Sequence, residues 1–256
     1  MTMKVLVCIK RVPAVAGRIT LTEDARAIDS KYLGFAIGPH EECAVEAAVR
    51  LVEEAGGESV VLSLGPAESL EQLRDAMAIG VTRAIHLVTD GEEWDPESTA
   101  SAIVDAIRAD EAESGPFDLL LFGNESGDTG GYQGAIRIGR ALGRPVVTGL
   151  KGLGVADGRL RGEQAVVGGR DLYDVPLPAV ASVLEGLNMP RYPSVPGRLR
   201  AKSKPVATSS PARPAQRLEM LRLVVPEGAN KQVTILGNGA AAASATVDLL
   251  DRIGVL

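Results

Sequence analysis

The residues best equipped for chemistry lie between Phe117 and Gly143, in the run FDLLLFGNESGDTGGYQGAIRIGRALG. Its middle gathers Gly123, Gly127, Gly130, Gly131 and Gly134 with Asn124, Glu125, Ser126, Asp128, Thr129, Tyr132 and Gln133. Glycine lets backbone N–H groups come close to an anion, and a helix start adds the positive end of its dipole. The chemistry on offer is the cradling of a phosphate, with polar side chains to hold a ribose. The spacing is neither the Walker pattern nor the dinucleotide fingerprint, so a glycine-rich turn with no ligand is the alternative. Other chemistries are poorly provided for. Cys8, Cys43, His40 and His86 are the only soft ligands, and they lack the paired spacings of structural zinc sites. Neither Gly-x-Ser-x-Gly nor His-Glu-x-x-His occurs, and no residue stands out as acid, base or nucleophile.

The cradle needs a strand before it and a helix after it. Phe117 to Phe122 is a nearly continuous apolar run, as in a strand buried on both faces of a parallel sheet. Ala135, Ile136, Ile138 and Leu142 share one face of a helix that Gly143 ends. Upstream, strands are expected at Val5–Ile9, Ser59–Leu64 and Arg83–Val88. Helices are expected from Gly38-Pro39 to Gly56, from Ser69 to Ile79, and over 95–109 with Asp95 as cap and Pro96 in the first turn. Residues 14–36 read as irregular or hairpin-like, with a short strand at Arg18–Thr22. This alternation predicts an α/β fold: a doubly wound, mostly parallel sheet with helices on both faces, Rossmann-like.

After Leu150 the rhythm changes. Asp157-Gly158 marks a hairpin, Pro178–Leu184 returns to the sheet, and prolines hold 186–196 extended. Residues 197–204 are basic with one or two helical turns, and 203–216 have the composition of a linker that packs no core. A strand-like run follows at Leu221–Val225 and Val233–Leu236, then a helix over 240–253. The division is thus an α/β nucleotide-binding domain at 1–202 and a linker with a partner-docking arm at 203–256. The last helix either packs on its own sheet or docks on another chain, since a helix of that length is marginal alone.

Among the 256 residues, 45% are hydrophobic, 23% charged and 3% aromatic, so the core must be aliphatic. A net charge of −6 argues against nucleic acid or an anionic membrane as partner. No run is long enough to span a bilayer, and Met1-Thr2-Met3-Lys4-Val5 lacks signal-peptide architecture. The expected address is the cytoplasm, although a mature mitochondrial chain would read the same.

Residues 165–204 resemble the β subunit of the electron transfer flavoproteins. The resemblance rests on Leu177-Pro178-Ala179-Val180, on Leu187-Asn188-Met189-Pro190-Arg191-Tyr192-Pro193, and on Pro196 and Ala201-Lys202. Val5–Val12, Cys43–Arg50 and Gly65-Pro66 support it, extending it over residues 3–204. It implies an electron carrier rather than an enzyme: a heterodimer whose α subunit holds most of one FAD while the β subunit shelters a structural AMP. Electrons would come from acyl-CoA and related dehydrogenases and pass through a quinone-reducing acceptor.

The resemblance places the nucleotide on Cys8, Gly38, Pro39, His40, Glu41, Leu64 and the loop Gly123 to Gly134, with Asp128, Thr129 and Gln133 near phosphate and ribose. Asp128 would orient a donor or bind ribose, since a carboxylate needs a counter-charge beside a phosphate; alternatively it caps the next helix. A recognition loop within 188–201 would present Arg191, Tyr192, Val195 and Leu199 to the dehydrogenase, Val195 replacing a family leucine. Alternatively, Val195 and Leu199 are local core. Two family positions depart: Val15 stands for a tyrosine and His40 for a phenylalanine. The glycine-rich loop suits AMP, or a second FAD as in bifurcating, NADH-using members. A stand-alone adenine-nucleotide-binding regulator would use the same sheet edge.

Overall fold

The computed structural model describes residues 2–14, 19–225 and 233–255. In chain order the strands and α-helices are β1 (Met3–Cys8), β2 (Arg11–Ala14), β3 (Gly34–Ile37), α1 (Pro39–Ala55), β4 (Gly57–Gly65), α2 (Leu70–Ala78) and β5 (Arg83–Val88). They continue as α3 (Pro96–Ser114), β6 (Leu119–Gly123), α4 (Gly134–Leu142), β7 (Val146–Ala156), β8 (Arg159–Val166) and β9 (Gly169–Pro176). The last are β10 (Ala179–Val183), α5 (Val195–Ala201), β11 (Val206–Ser209) and α6 (Ala243–Arg252).

One sheet runs in the order β11-β5-β4-β1-β6-β10-β7-β8-β9. Pairing is parallel from β11 through β7 and antiparallel at β7–β8 and β8–β9. Successive residues of β1 point to opposite faces and join different cores. Val5 and Val7 pack with residues of α1 and α2, whereas Leu6 and Cys8 pack with residues of α3 and α4. Helices therefore cover both faces, and the doubly wound, mostly parallel α/β fold is the one expected. Among the described residues no helix is long and apolar enough to cross a membrane.

Local chemistry explains most boundaries. Asp95 caps α3 by accepting from Ser98 N at 2.7 Å, and Gly143 closes α4 at φ 68°. Asp157 and Gly158, at φ 54° and 69°, make the turn between β7 and β8. The structure departs from the sequence expectation where long-range pairing decides. Helix α3 runs on to Ser114 because Asp110 binds Arg83 and Lys4 and Glu111 binds Arg144. The hairpin-like reading of 14–36 holds at its ends, where residues 11–14 pair antiparallel with 34–37. Of the strand expected at Arg18–Thr22, Leu21 forms one bridge with Ile28, and Arg18 lies outside the described residues. The hairpin gains a third strand, β9, which is largely exposed and so has no apolar alternation to reveal it.

The carboxyl end of the chain needs two corrections and settles one alternative. Residues 203–216 are not a free linker, because β11 extends the sheet beside β5 with Val206 opposite Ala84. Among the described residues Leu221–Val225 and Val233–Leu236 form no strand; instead Leu223 N donates to Ala25 O at 2.7 Å. Helix α6 buries none of its residues, so it does not pack back on its own sheet. Between β11 and α6, Arg217 N and Leu218 N donate to Asp95 Oδ2 at 2.8 and 3.3 Å, tying the arm to the start of α3.

Helix α5 is held on the α2 side of the sheet. Arg74 donates to the carbonyls of Ala201 and Lys204, and Lys204 Nζ donates to those of Met77 and Val81. Gly197 allows this close approach, since a Cβ there would collide with the Ala78 carbonyl oxygen. That backbone group cannot swing aside as a side-chain tip could. Gly197→Ala is expected to destabilise the chain by about 1–3 kcal/mol, measured by urea denaturation of the two proteins.

Candidate functional site

A cleft of about 360 Å³ opens between Pro39 and His40 at the start of α1 and residues 125–130 of the loop after β6. It lies at the carboxyl edge of the parallel strands, where open α/β sheets bind ligands. Helix α1 follows Gly38, which has no side chain to cap it, and a helix start of this kind favours an anion. His40 Nδ1 and Glu41 Oε2 are buried and have no hydrogen-bond partner. Orphaned buried polar atoms beside a cleft are what a polar ligand would satisfy.

Lys10, just beyond β1, organises the charges. Its Nζ lies 2.7 Å from Asp128 Oδ2 and 2.7 Å from Glu93 Oε1. Burial alone would raise the Asp128 pKa, but Lys10 and the N–H of Thr129 hold that carboxyl below the usual range. Burial works against the Lys10 ammonium, yet Glu93 and Asp128 outweigh it and raise its pKa. The counter-charge that Asp128 requires is therefore present. Lys10 is not among the residues expected at the site. Its only local signal was a basic residue directly after a buried apolar strand. Asp128 does not cap the next helix, because α4 begins at Gln133 with no side-chain cap.

Glu41 sits beneath the cleft with its carboxyl raised to about 7, by burial first, with Asp128 adding to it and Lys10 opposing. Its side chain packs on the last residue of β6. A Cβ on Gly123 would stand 2.8 Å from Glu41 Cγ and 3.1 Å from Glu41 N, so this junction admits only glycine without displacement.

The other expected nucleotide residues divide into two groups. Pro39, His40, Glu125, Ser126, Gly127, Asp128, Thr129 and Gly130 meet at the cleft. Cys8 and Leu64 lie at the ends of their strands, Cys8 buried with its thiol pKa pushed up by desolvation. Asn124 turns away, its Oδ1 accepting from Ser182 Oγ at 2.8 Å. Gln133 accepts from Arg137 Nε at 2.9 Å. Tyr132, at φ 54°, is exposed, and Glu125 raises its pKa. Gly131 and Gly134 lead into α4.

The expected recognition loop is half helix: Ser194 caps α5 by accepting from Gly197 N at 3.1 Å, and Pro196 falls in the first turn, where it lacks no needed N–H. Tyr192 is 96% exposed, Val195 75% and Leu199 62%. The two aliphatic side chains stand four residues apart on one helix face and are not local core. Arg191 is engaged internally, with Nε 2.9 Å from Glu46 and Nη1 2.7 Å from Glu53. Val15 lies outside the described residues.

Fold and cleft define an α/β protein of the doubly wound kind with a polar cleft at the carboxyl edge of its sheet. A family model described as the electron transfer flavoprotein domain matches residues 27–214. The electron transfer flavoprotein β subunit of Syntrophomonas wolfei is 33% identical over 227 residues, spanning 88% of this chain and 87% of its own. That of Mycobacterium leprae is 34% identical over 209 residues, spanning 79% and 77%. The mitochondrial β subunit of Oryza sativa is 30% identical over 210 residues, spanning 82% of each. The chain belongs to the electron transfer flavoprotein family.

The raised Glu41 carboxyl has a measurable consequence. Between about pH 4.5 and 7 Glu41 binds more proton in the folded chain than in the unfolded one, so its contribution to stability falls as pH rises through that window. Glu41→Gln removes this loss and is expected to stabilise the nucleotide-free chain by about 3 kcal/mol at pH 7 and by little at pH 4. Thermal melts of both proteins across that range check it.

Proposed function

We propose that the chain is the β subunit of a heterodimeric electron transfer flavoprotein, holding AMP in the cleft beside Asp128 and completing the FAD site of an α subunit. The observation that carries the nucleotide assignment is the joining of an uncapped α1 start, the Lys10–Asp128 pair and the orphaned His40 and Glu41 atoms at one sheet edge. Phosphate would be held by the glycine-rich backbone and the α1 N-terminus, with Lys10 offsetting its charge. Asp128 would take ribose, and His40 Nδ1 an adenosine donor. The redox chemistry belongs to the flavin, and this chain contributes binding, geometry and charge.

On this reading, Val195 and Leu199 of α5 anchor a donor dehydrogenase of the acyl-CoA type, and electrons pass on toward a quinone-reducing acceptor. The arm beyond residue 202 docks on the α subunit, which would cover the exposed apolar residues of α6, Val247 among them. The cytoplasm is the proposed location. A second FAD in place of AMP, with NADH as reductant, is the alternative. The volume of about 360 Å³, near the lower end of small-molecule pockets, favours the mononucleotide. A stand-alone regulator has no use for the exposed pair on α5 or for an unpacked arm.

Co-expression with the adjacent α subunit is expected to yield a yellow heterodimer from which mass spectrometry recovers one FAD and one AMP. Two flavins and reduction by NADH would establish the bifurcating alternative, and a colourless ATP-binding homodimer the regulator. Asp128→Ala is expected to lower bound nucleotide and heterodimer stability together; full occupancy would show the site to be elsewhere. Val195→Ala, which removes two buried methyl groups from the complex, is expected to weaken dehydrogenase coupling about tenfold with nucleotide content unchanged. Stopped-flow flavin reduction measures it.

A further inference from the structure

Glu46 is an anionic side chain with no solvent exposure, far from the cleft. Burying a carboxylate costs several kcal/mol unless it is paired and hydrogen-bonded, so what it pairs with is informative. It accepts from the backbone N of Arg191 at 3.1 Å and from Arg191 Nε at 2.9 Å, while Arg50 Nε binds its other oxygen. Burial would raise its pKa, but the two guanidinium groups outweigh that and hold it below the usual carboxylate range.

The neighbouring contacts run along the same face of α1, at spacings of three and four residues. Cys43 O accepts from Asn188 Nδ2 at 2.9 Å, Arg50 Nη2 donates to Met189 O at 3.2 Å, and Glu53 binds Arg191 Nη1 at 2.7 Å. Residues 188–191 are thus stitched to α1 by side chain and backbone. Only three residues separate Arg191 from Val195, the first residue of α5. Nothing in this cluster touches the nucleotide cleft, and Arg191 has its donors turned inward.

We infer that Glu46 is the positioning residue for partner docking: through Arg191 it fixes the segment that aims Val195 and Leu199 outward. The inference rests on the anchoring role proposed for Val195. A segment already held in its bound form loses less conformational freedom on association, which strengthens binding without new contacts. Glu46 would therefore govern how well the donor protein is captured, and leave electron transfer within the formed complex untouched.

The test uses the co-expressed heterodimer, reduced by an acyl-CoA dehydrogenase supplied with its acyl-CoA. Glu46→Gln is expected to raise KM for the heterodimer about tenfold, the scale of one or two newly mobile side chains, with kcat and nucleotide and flavin content unchanged. Amide exchange over 188–201 should quicken. Added to Val195→Ala, it should raise KM by less than the product of the single effects. A normal KM for Glu46→Gln beside a raised KM for Val195→Ala overturns the inference and leaves the anchoring role standing. Normal KM in both removes the anchoring role and the inference with it. Independent, multiplicative effects, or loss of flavin in parallel, also overturn it. If Glu46→Gln does not fold, Glu53→Gln opens the outer half of the Arg191 clasp. It should then raise KM by about threefold, and an unchanged value overturns the inference.

Discussion

A strand buried on both faces has room for polar chemistry only at its ends, because an unpaired polar group in its middle would lose its hydration without compensation. Strand β1 is in that position. It lies between β4 and β6, its residues alternately entering the core under α1 and α2 and the core under α3 and α4. The polar chemistry of this part of the sheet therefore collects at its two edges: Lys4, Arg83 and Asp110 pair at the amino edge, and at the carboxyl edge Lys10 follows β1, Gly123 ends β6, and α1 begins after Gly38. The close junction of Gly123 with Glu41 seals that edge from beneath. What remains open above it is the cleft.

Helix α1 links the two regions of interest. Its first turn forms one wall of the cleft through Pro39 and His40. Two to four turns further on, its outer face presents Glu46, Arg50 and Glu53 to residues 188–191. A long, regular helix packed on a rigid sheet holds both ends in fixed relation, so the cleft and the 188–191 segment share one support. No coupling between the two follows from shared support alone, since coupling requires an element with two arrangements.

The charge pattern ties the arm to the start of α3 and leaves the last helix outside it. The start of α3 and the loop before it carry Glu92, Glu93, Asp95 and Glu97, and the arm answers with Arg213 and Arg217. Those surface pairs contribute little individually, whereas Asp95, bound by three backbone N–H groups and with its pKa lowered to about 2, contributes more. The arm is thereby tied down as far as Leu223, while α6 beyond it buries nothing.

Elements whose cause is local were legible from residue order alone. The apolar runs of β1, β4, β5 and β6, the Asp95 cap, the Gly143 stop and the Asp157-Gly158 turn each rest on residues adjacent in the chain. So did the concentration of glycine after β6, which marked the cleft. Tertiary structure decided whatever depends on distant partners. The polar strand β9 and the short edge strand β11 exist because their backbones complete a neighbour's hydrogen bonds, which side-chain periodicity does not report. Lys10 faces Asp128 across 118 positions of sequence, and Glu46 faces Arg191 across 145. Pairs that far apart leave no periodic trace in the chain, because only the packing of α1 and the loops onto the finished sheet brings them within reach.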